Sequence, residues 1–364
     1  MENLQIHFLN SLPPSNPNRD DLGRPKTAIM GGVERQRISS QCLKRSWRTS
    51  DTFWETVGDN QSIRTKKIGR AIEKSLVEGY SLSDFLSEDN PESVRSPVDE
   101  DTAESWAISI AGQFGDLDDG HELSTVAMVT PEEIDAIDNH LESIAAGNEP
   151  DEDDISVLRE SSRAIDTNLF GRMVADNAQF SIGGTMQVGH ALTTHGITVE
   201  SDYFTAVDEL NTGEETGSGH IDNRDFSSGV FYGFAALNLE RLRDELGEKL
   251  YKYNYPEAMA AFLRSMLTVT PSGFKNSFGS SGYSEYAVVE HSTDQPRNLA
   301  STAFGQPVTG NYLENSIERL DETLGRFDEA YDPPAKRKSL NLISGDGSLD
   351  NLESFVRNSV SEGL

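Results

Sequence analysis

With 61 Asp and Glu against 31 Lys and Arg in 364 residues, the chain carries a net charge of −30. It cannot coat a polyanion with a broad basic surface, so any such partner must dock at one local site. Its 35% hydrophobic residues suffice for one large domain with insertions or for two domains. There is no apolar run near the roughly 18 residues a membrane helix needs and no secretory pattern at the start, and Cys42 has no second cysteine to pair with. A cytoplasmic protein with no membrane partner is expected.

The acidic surplus is spread along most of the chain, which favours a host with a salty cytoplasm over an acidic shell shaped around one nucleic-acid site. In such a cell phosphate contacts weaken steeply, so hydrogen bonds and stacking must add to charge.

In chain order, Leu4, Ile6 and Phe8 alternate with Gln5, His7 and Leu9, the period of a half-buried strand. Residues 10–32, rich in Pro, Asn and Gly, read as a loop. From Arg24 to Arg48 the charge reverses: Arg24, Lys26, Arg35, Arg37, Lys44, Arg45 and Arg48 stand against Glu34 alone. Ser39 or Ser40 caps a helix there. On it Ser39, Leu43 and Trp47 share one face, while Gln41, Lys44, Arg45 and Arg48 share the other. One side packs; the other offers three cations and an amide.

Residues 62–165 read as mainly helical, with a stripe at Ile134, Ile137, Leu141 and Ile144. Acidic loops are expected at 116–119 and 149–154. The cations Arg64, Lys66, Lys67, Arg70 and Lys74 fit a solvated helix face. After Phe170 the texture turns to strands. Residues 211–225 resemble the tip of a long hairpin, 230–239 a buried strand and 285–290 another strand. Pro256 opens a helix to about Leu267. Leu313, Ile317, Leu320, Leu324 and Phe327 mark a further helix, and the tail beyond Asp332 is expected to be loosely attached. Strands, a helical insertion, then strands and helices make an α+β protein.

No nucleotide phosphate loop, zinc-protease helix or paired cysteines occur, so no catalytic residue, metal or cofactor is assigned. His190 and His195, five apart, suit neither one helix face nor one strand face and read as structural. Cys42 reads as a packed small residue. Asp20 and Asp21 beside Arg19 are expected to pair with arginine and orient it; the alternative is that they activate a ribose hydroxyl or hold a metal. The basic segment suits phosphate binding: Arg and Lys reach phosphates, Ser and Gln add neutral donors, and a helix N-terminus adds N–H groups.

Three ordered segments carry a family resemblance: NRDDLGRPKTAIMGGVERQRISSQCLKRSWR (18–48), the stretch 170–210 that begins FGRMVADNAQF, and GSGHIDNRDFSSGVFYGFAALNLERL (217–242). They resemble the CasC family, the repeated backbone subunits of the type I-E CRISPR surveillance complex, Cascade. The resemblance implies an RRM-like palm with an inserted helical finger region and a long β-hairpin thumb. It assigns 1–60, 166–195 and 229–364 to the palm and tail, 61–165 to the fingers and 196–228 to the thumb.

It further implies a non-catalytic filament of copies along one CRISPR RNA, assembled with other Cascade subunits. Each thumb displaces one nucleotide, leaving the bases between thumbs to pair with target DNA. Matched to the family motifs, Arg19 touches RNA from the NRDD loop. Ser40, Gln41, Lys44, Arg45 and Arg48 form the phosphate-binding helix. Met173 sits against bases at the kink, and Phe204 supports the displaced nucleotide. The acidic fingers leave contact with DNA to Lys66, Lys67 and Arg70. The alternative class is a metal-assisted RNA-cleaving backbone subunit that uses Asp20 or Asp21.

Overall fold

The computed structural model describes residues 2–87, 92–118, 120–148, 155–174, 177–206, 220–247 and 249–362. It is a mixed α+β structure with two compact units, Met1–Thr56 with Met186–Leu364, and Val57–Thr185. Among the described residues no helix is long and apolar enough to cross a membrane.

The first unit is built on a nine-stranded antiparallel sheet. From one edge the order is Lys336–Asn341, Tyr286–Ser292, Asn3–Ser15, His220–Asn238, Ala191–Thr193, Val33–Ile38 and Thr27–Met30. Strands Met186–Val188 and Glu200–Ala206 also pair with the long strand His220–Asn238. Side chains alternate across the pleat, so both faces of the central strands carry core. On one face Phe8 meets Trp47 edge-on at 6.1 Å and Trp47 meets Phe262 at 5.8 Å. On the other, Leu9, Tyr232 and Phe234 pack with Phe304, Ile317, Leu320 and Leu324.

The first strand therefore departs from its half-buried reading: residues 3–9 are all buried. Its polar members Gln5 and His7 each keep a hydrogen-bond partner there. The Arg297 N–H donates to Gln5 Oε1 at 2.7 Å, and His7 Nδ1 lies 2.8 Å from the Tyr232 hydroxyl.

Residues 10–32 also differ from a plain loop. Strand Asn3–Ser15 runs through the first six of them, and Thr27–Met30 pairs with Val33–Ile38 as a hairpin. Gly31 and Gly32 take φ of +64° and +78° in its two-residue turn, where L side chains are strained. Arg35 on this hairpin is wholly buried. It donates to the carbonyls of Met30, Thr193 and Phe304 at 3.2, 2.9 and 2.9 Å. The long strand ends at Asn238 rather than Leu239. The Asn238 side chain accepts the Arg241 N–H at 2.9 Å and starts helix Leu239–Leu246.

The tail is integral to the fold. Strand Lys336–Asn341 closes one sheet edge, and helix Leu349–Ser361 buries Leu352, Val356 and Val360 as it packs on helix Tyr255–Thr268. Arg264–Glu353 and Arg357–Glu257, each at 2.6 Å, join the two helices. The strand is mostly exposed and polar, so it carries little of the alternation that marks a strand in sequence.

The second unit holds helices Ile68–Glu78, Leu82–Ser87, Glu100–Ala111, Pro131–Ala145 and Ile165–Phe170 around Ile72, Leu76, Ile110, Ile137 and Leu141. The expected finger insertion, 61–165, lies within it. Its longest helix starts with a capping box, Thr130 with Glu133, and Pro131 in the first turn. Lys66 donates to the Ser124 carbonyl at 2.6 Å, while Arg70 pairs with Glu122 at 3.2 Å and Lys74 with Glu78 at 3.6 Å. The acidic loop expected at 149–154 lies outside the described residues, as do 211–219 of the hairpin tip expected at 211–225; 220–225 belong to strand His220–Asn238.

Candidate nucleic-acid interface

Helix Ser40–Arg48 is capped by Ser39, whose hydroxyl accepts the Cys42 N–H at 3.3 Å. Leu43 and Trp47 point into the core; Gln41 and Arg45 are exposed, and Ser40 and Lys44 are half-buried. Arg48 departs from the expected polar stripe: it is 7% exposed and buried beside Trp47. A helical wheel records angle about one axis but not what the rest of the chain lays over the last turn. The first turn is the open one.

Its N–H groups are nevertheless in use. Besides the Cys42 bond, the Ser40 N–H donates to His190 Nδ1 at 2.9 Å. That bond needs an unprotonated Nδ1. Burial pushes the His190 imidazole below its ordinary value, and Arg37 and Lys26 push it further. Burial pushes the Cys42 thiol up, against the opposite pull of Lys26 and Arg45. Lys26 and Arg37 are hairpin neighbours, the Arg37 N–H donating to the Lys26 carbonyl at 2.7 Å, while Arg45 stands in the last turn of the helix. The segment's charge count included the first two, but only the hairpin shows that they lie side by side.

The NRDD loop is tied to that helix. The Ser39 N–H donates to Asn18 Oδ1 at 2.9 Å, and the Lys26 N–H to the Asn18 carbonyl at 2.8 Å. Asp20 does not orient an arginine through an ion pair: its Oδ1 accepts the Leu22 and Arg24 N–H groups at 2.9 and 2.8 Å. This is the local turn that a short carboxylate makes with its own backbone. Arg24 pairs with Asp225 at 3.1 Å. Arg19 is exposed, and its guanidinium lies 4.3 Å from the centre of the Phe274 ring.

Phe204, on strand Glu200–Ala206, is half-buried, with the Arg224 guanidinium 4.5 Å from its ring centre. The register pairs Asp202 with Arg224, so Phe204 and Arg224 are diagonal neighbours across the hairpin. Arg224 also lies 5.3 Å from the Phe274 ring, which links Phe204 to Arg19. Nothing in the spacing of Arg19, Phe204, Arg224 and Phe274 announces this; only the fold brings them together.

Met173, in the second unit, is 84% exposed and is no core residue. Arg172 beside it is anchored in the interior. Its Nη1 donates to both Glu133 oxygens at 2.6 and 2.7 Å, and its Nη2 to the Arg159 and Phe180 carbonyls at 2.7 and 2.8 Å. A flexible thioether is thus held out to solvent from a fixed base. His195 is structural: it stacks on Tyr312 at 3.7 Å and accepts the Val230 N–H at 3.3 Å.

The arrangement can hold an extended anion along Arg19, Lys26, Arg37, Gln41 and Arg45, with aromatic surface beside it. Two solved structures resemble the whole chain. A chain of a structure described as "CRISPR RNA-guided surveillance complex, pre-nicking" is 28% identical, with 100% of each chain covered and a TM-score of 0.80. A chain of another, described as "CRISPR RNA-guided surveillance complex", is 25% identical, with 98% of this chain and 99% of that one covered and a TM-score of 0.60. Among curated proteins the sequence finds no match. The family model described as CT1975-like protein matches residues 4–359, and the chain therefore belongs to the CT1975-like family.

Proposed function

We propose that this chain is a non-catalytic CRISPR RNA-binding scaffold subunit of the CasC kind in a type I-E Cascade. Copies polymerise along the spacer of one CRISPR RNA in the cytoplasm, beside other Cascade subunits, and present its bases to target DNA. In this reading the first unit's sheet is an RRM-like palm, the second unit supplies the fingers, and the hairpin of Glu200–Ala206 with the start of His220–Asn238 is the thumb. Phe204 supports the displaced nucleotide, and Met173 sits against bases at the kink.

The observation that carries the proposal is a helix face with Gln41 and Arg45 exposed and, on the hairpin that leads into it, Lys26 joined to Arg37, in a protein of net charge −30. Such a site holds phosphates and leaves sequence to the guide. The RNA-cleaving alternative draws no support from Asp20, whose carboxylate shapes its own turn.

The test measures affinity of the full chain for single-stranded CRISPR RNA at several salt concentrations, wild type against Gln41→Ala/Arg45→Ala. Each lost phosphate contact should flatten the log–log salt slope by about 0.7 and weaken binding. An unchanged slope and affinity would sink the assignment of this helix. Regularly spaced cuts in complementary RNA, lost on Asp20→Asn, would instead favour the enzyme.

A further inference from the structure

The loop that carries Arg19 and the strand that carries Arg224 meet at one ring. Phe274 lies beneath both guanidinium groups, at 4.3 and 5.3 Å, and Arg224 reaches on to Phe204 at 4.5 Å. Arg224 Nη1 also donates to the Ser277 hydroxyl at 3.2 Å. Phe278 closes the far side, edge-on to Phe274 at 6.1 Å and tilted against Phe226 at 5.7 Å. Among the described residues neither Arg19 nor Arg224 has a carboxylate within ion-pair distance. Two like charges are therefore gathered at one half-buried aromatic surface, neither of them ion-paired among the described residues, an arrangement that an anion would complete.

The backbone supports the same conclusion independently. Phe274 takes φ +49° and ψ +24°, a left-handed conformation that a bulky aromatic residue adopts only under constraint. The preceding Gly273 is pressed against the segment leading to Arg19: a Cβ there would sit 2.5 Å from the Pro17 carbonyl oxygen. Core packing does not call for a half-exposed ring in a strained backbone. Holding a flat face between two arginines does.

We infer that Phe274 is a positioning residue for RNA. It aligns Arg19 and Arg224 on one stretch of phosphate backbone and couples that grip to the Phe204 ring on the neighbouring hairpin. Arg224 becomes an RNA contact in its own right. The inference rests on the proposed RNA binding and adds residues to it.

The test uses the full chain and single-stranded CRISPR RNA. Phe274→Gly removes the ring while relieving the left-handed backbone; Phe274→Leu removes only the aromatic face. Both should bind about tenfold more weakly, with thermal melting no lower than wild type for Phe274→Gly. Phe274→Trp should bind as wild type. Arg224→Ala should weaken binding in the wild-type background and add little in Phe274→Gly. Wild-type affinity in Phe274→Gly and Phe274→Leu, or strictly additive losses with Arg224→Ala, overturns the inference and leaves the scaffold reading standing. A wild-type chain that does not bind the RNA overturns both.

Discussion

Replacing Arg172 with Met should release the base from which Met173 projects. The Arg172 side chain is 3% exposed and that of Glu133 fully buried, and their two contacts of 2.6 and 2.7 Å form a bidentate pair. Met fills much of the same volume but makes none of the four hydrogen bonds. It leaves Glu133 with the Thr130 and Arg159 N–H groups, at 2.9 and 3.0 Å, as partners. Removing one member of a buried pair costs about 3–5 kcal/mol, because the other charge stays buried without its partner. Against a domain stability of about 5–15 kcal/mol, that is a large share. The double variant Arg172→Met/Glu133→Gln removes the orphaned charge and keeps an acceptor for the helix start, so it should recover part of the loss. Urea denaturation of the full chain reads the global term. Hydrogen exchange reads the local one at the Arg172 and Ile182 amides, which bond reciprocally to each other's carbonyls at 2.7 and 2.8 Å. Opening there should become on the order of a hundredfold more frequent. A loss below about 1 kcal/mol with unchanged exchange would refute the view that this pair fixes the Met173 platform.

Two further outcomes concern the first unit. Burial alone would raise the Glu290 carboxyl, but His7 and Arg337 outweigh it and hold the group at about 2, below its ordinary 4.5. Because the folded-state value is depressed, its stabilisation is complete above about pH 4.5 and fades as pH falls toward 2. Urea midpoints at pH 7, 4 and 3 should fall more steeply for wild type than for Glu290→Gln; equal steepness contradicts the assignment. Leu352, on the inner face of the tail helix, is 0% exposed, so Leu352→Ala should cost about 2–5 kcal/mol in the same assay. A loss within about 0.5 kcal/mol would return the tail to the loosely attached segment expected from sequence.

Helix Tyr312–Tyr331 was legible because it buries a regular stripe, a property of sequence spacing, and helix Tyr255–Thr268 and strand Tyr286–Ser292 because they are largely apolar runs buried on nearly every side. The hairpin at Gly31–Gly32 was read as loop: a Gly-Gly pair between short apolar runs is a turn signal, but the surrounding Pro, Asn and charge masked it. Arg35, Arg48 and the closing strand Lys336–Asn341 carried no signal of their places. A buried arginine has the same letter as an exposed one, and what separates them is the set of carbonyls or layers that distant segments bring. The same limit applies to the first strand, whose alternating pattern suits one buried face although helices cover both.

By itself the sequence determined that residues 24–48 reverse the chain's acidic balance, that Leu43 and Trp47 anchor a helix there, and that strands and helices mix. These follow from composition and period, which are local. Only the tertiary structure decided which cations stay at the surface. It withdrew Arg35 and Arg48, joined Lys26 to Arg37 across a hairpin, and set Arg19 and Arg224 on the ring of Phe274. Phe274 is separated from Arg19 by most of the chain, and contacts at that separation depend on how the sheet orders its strands.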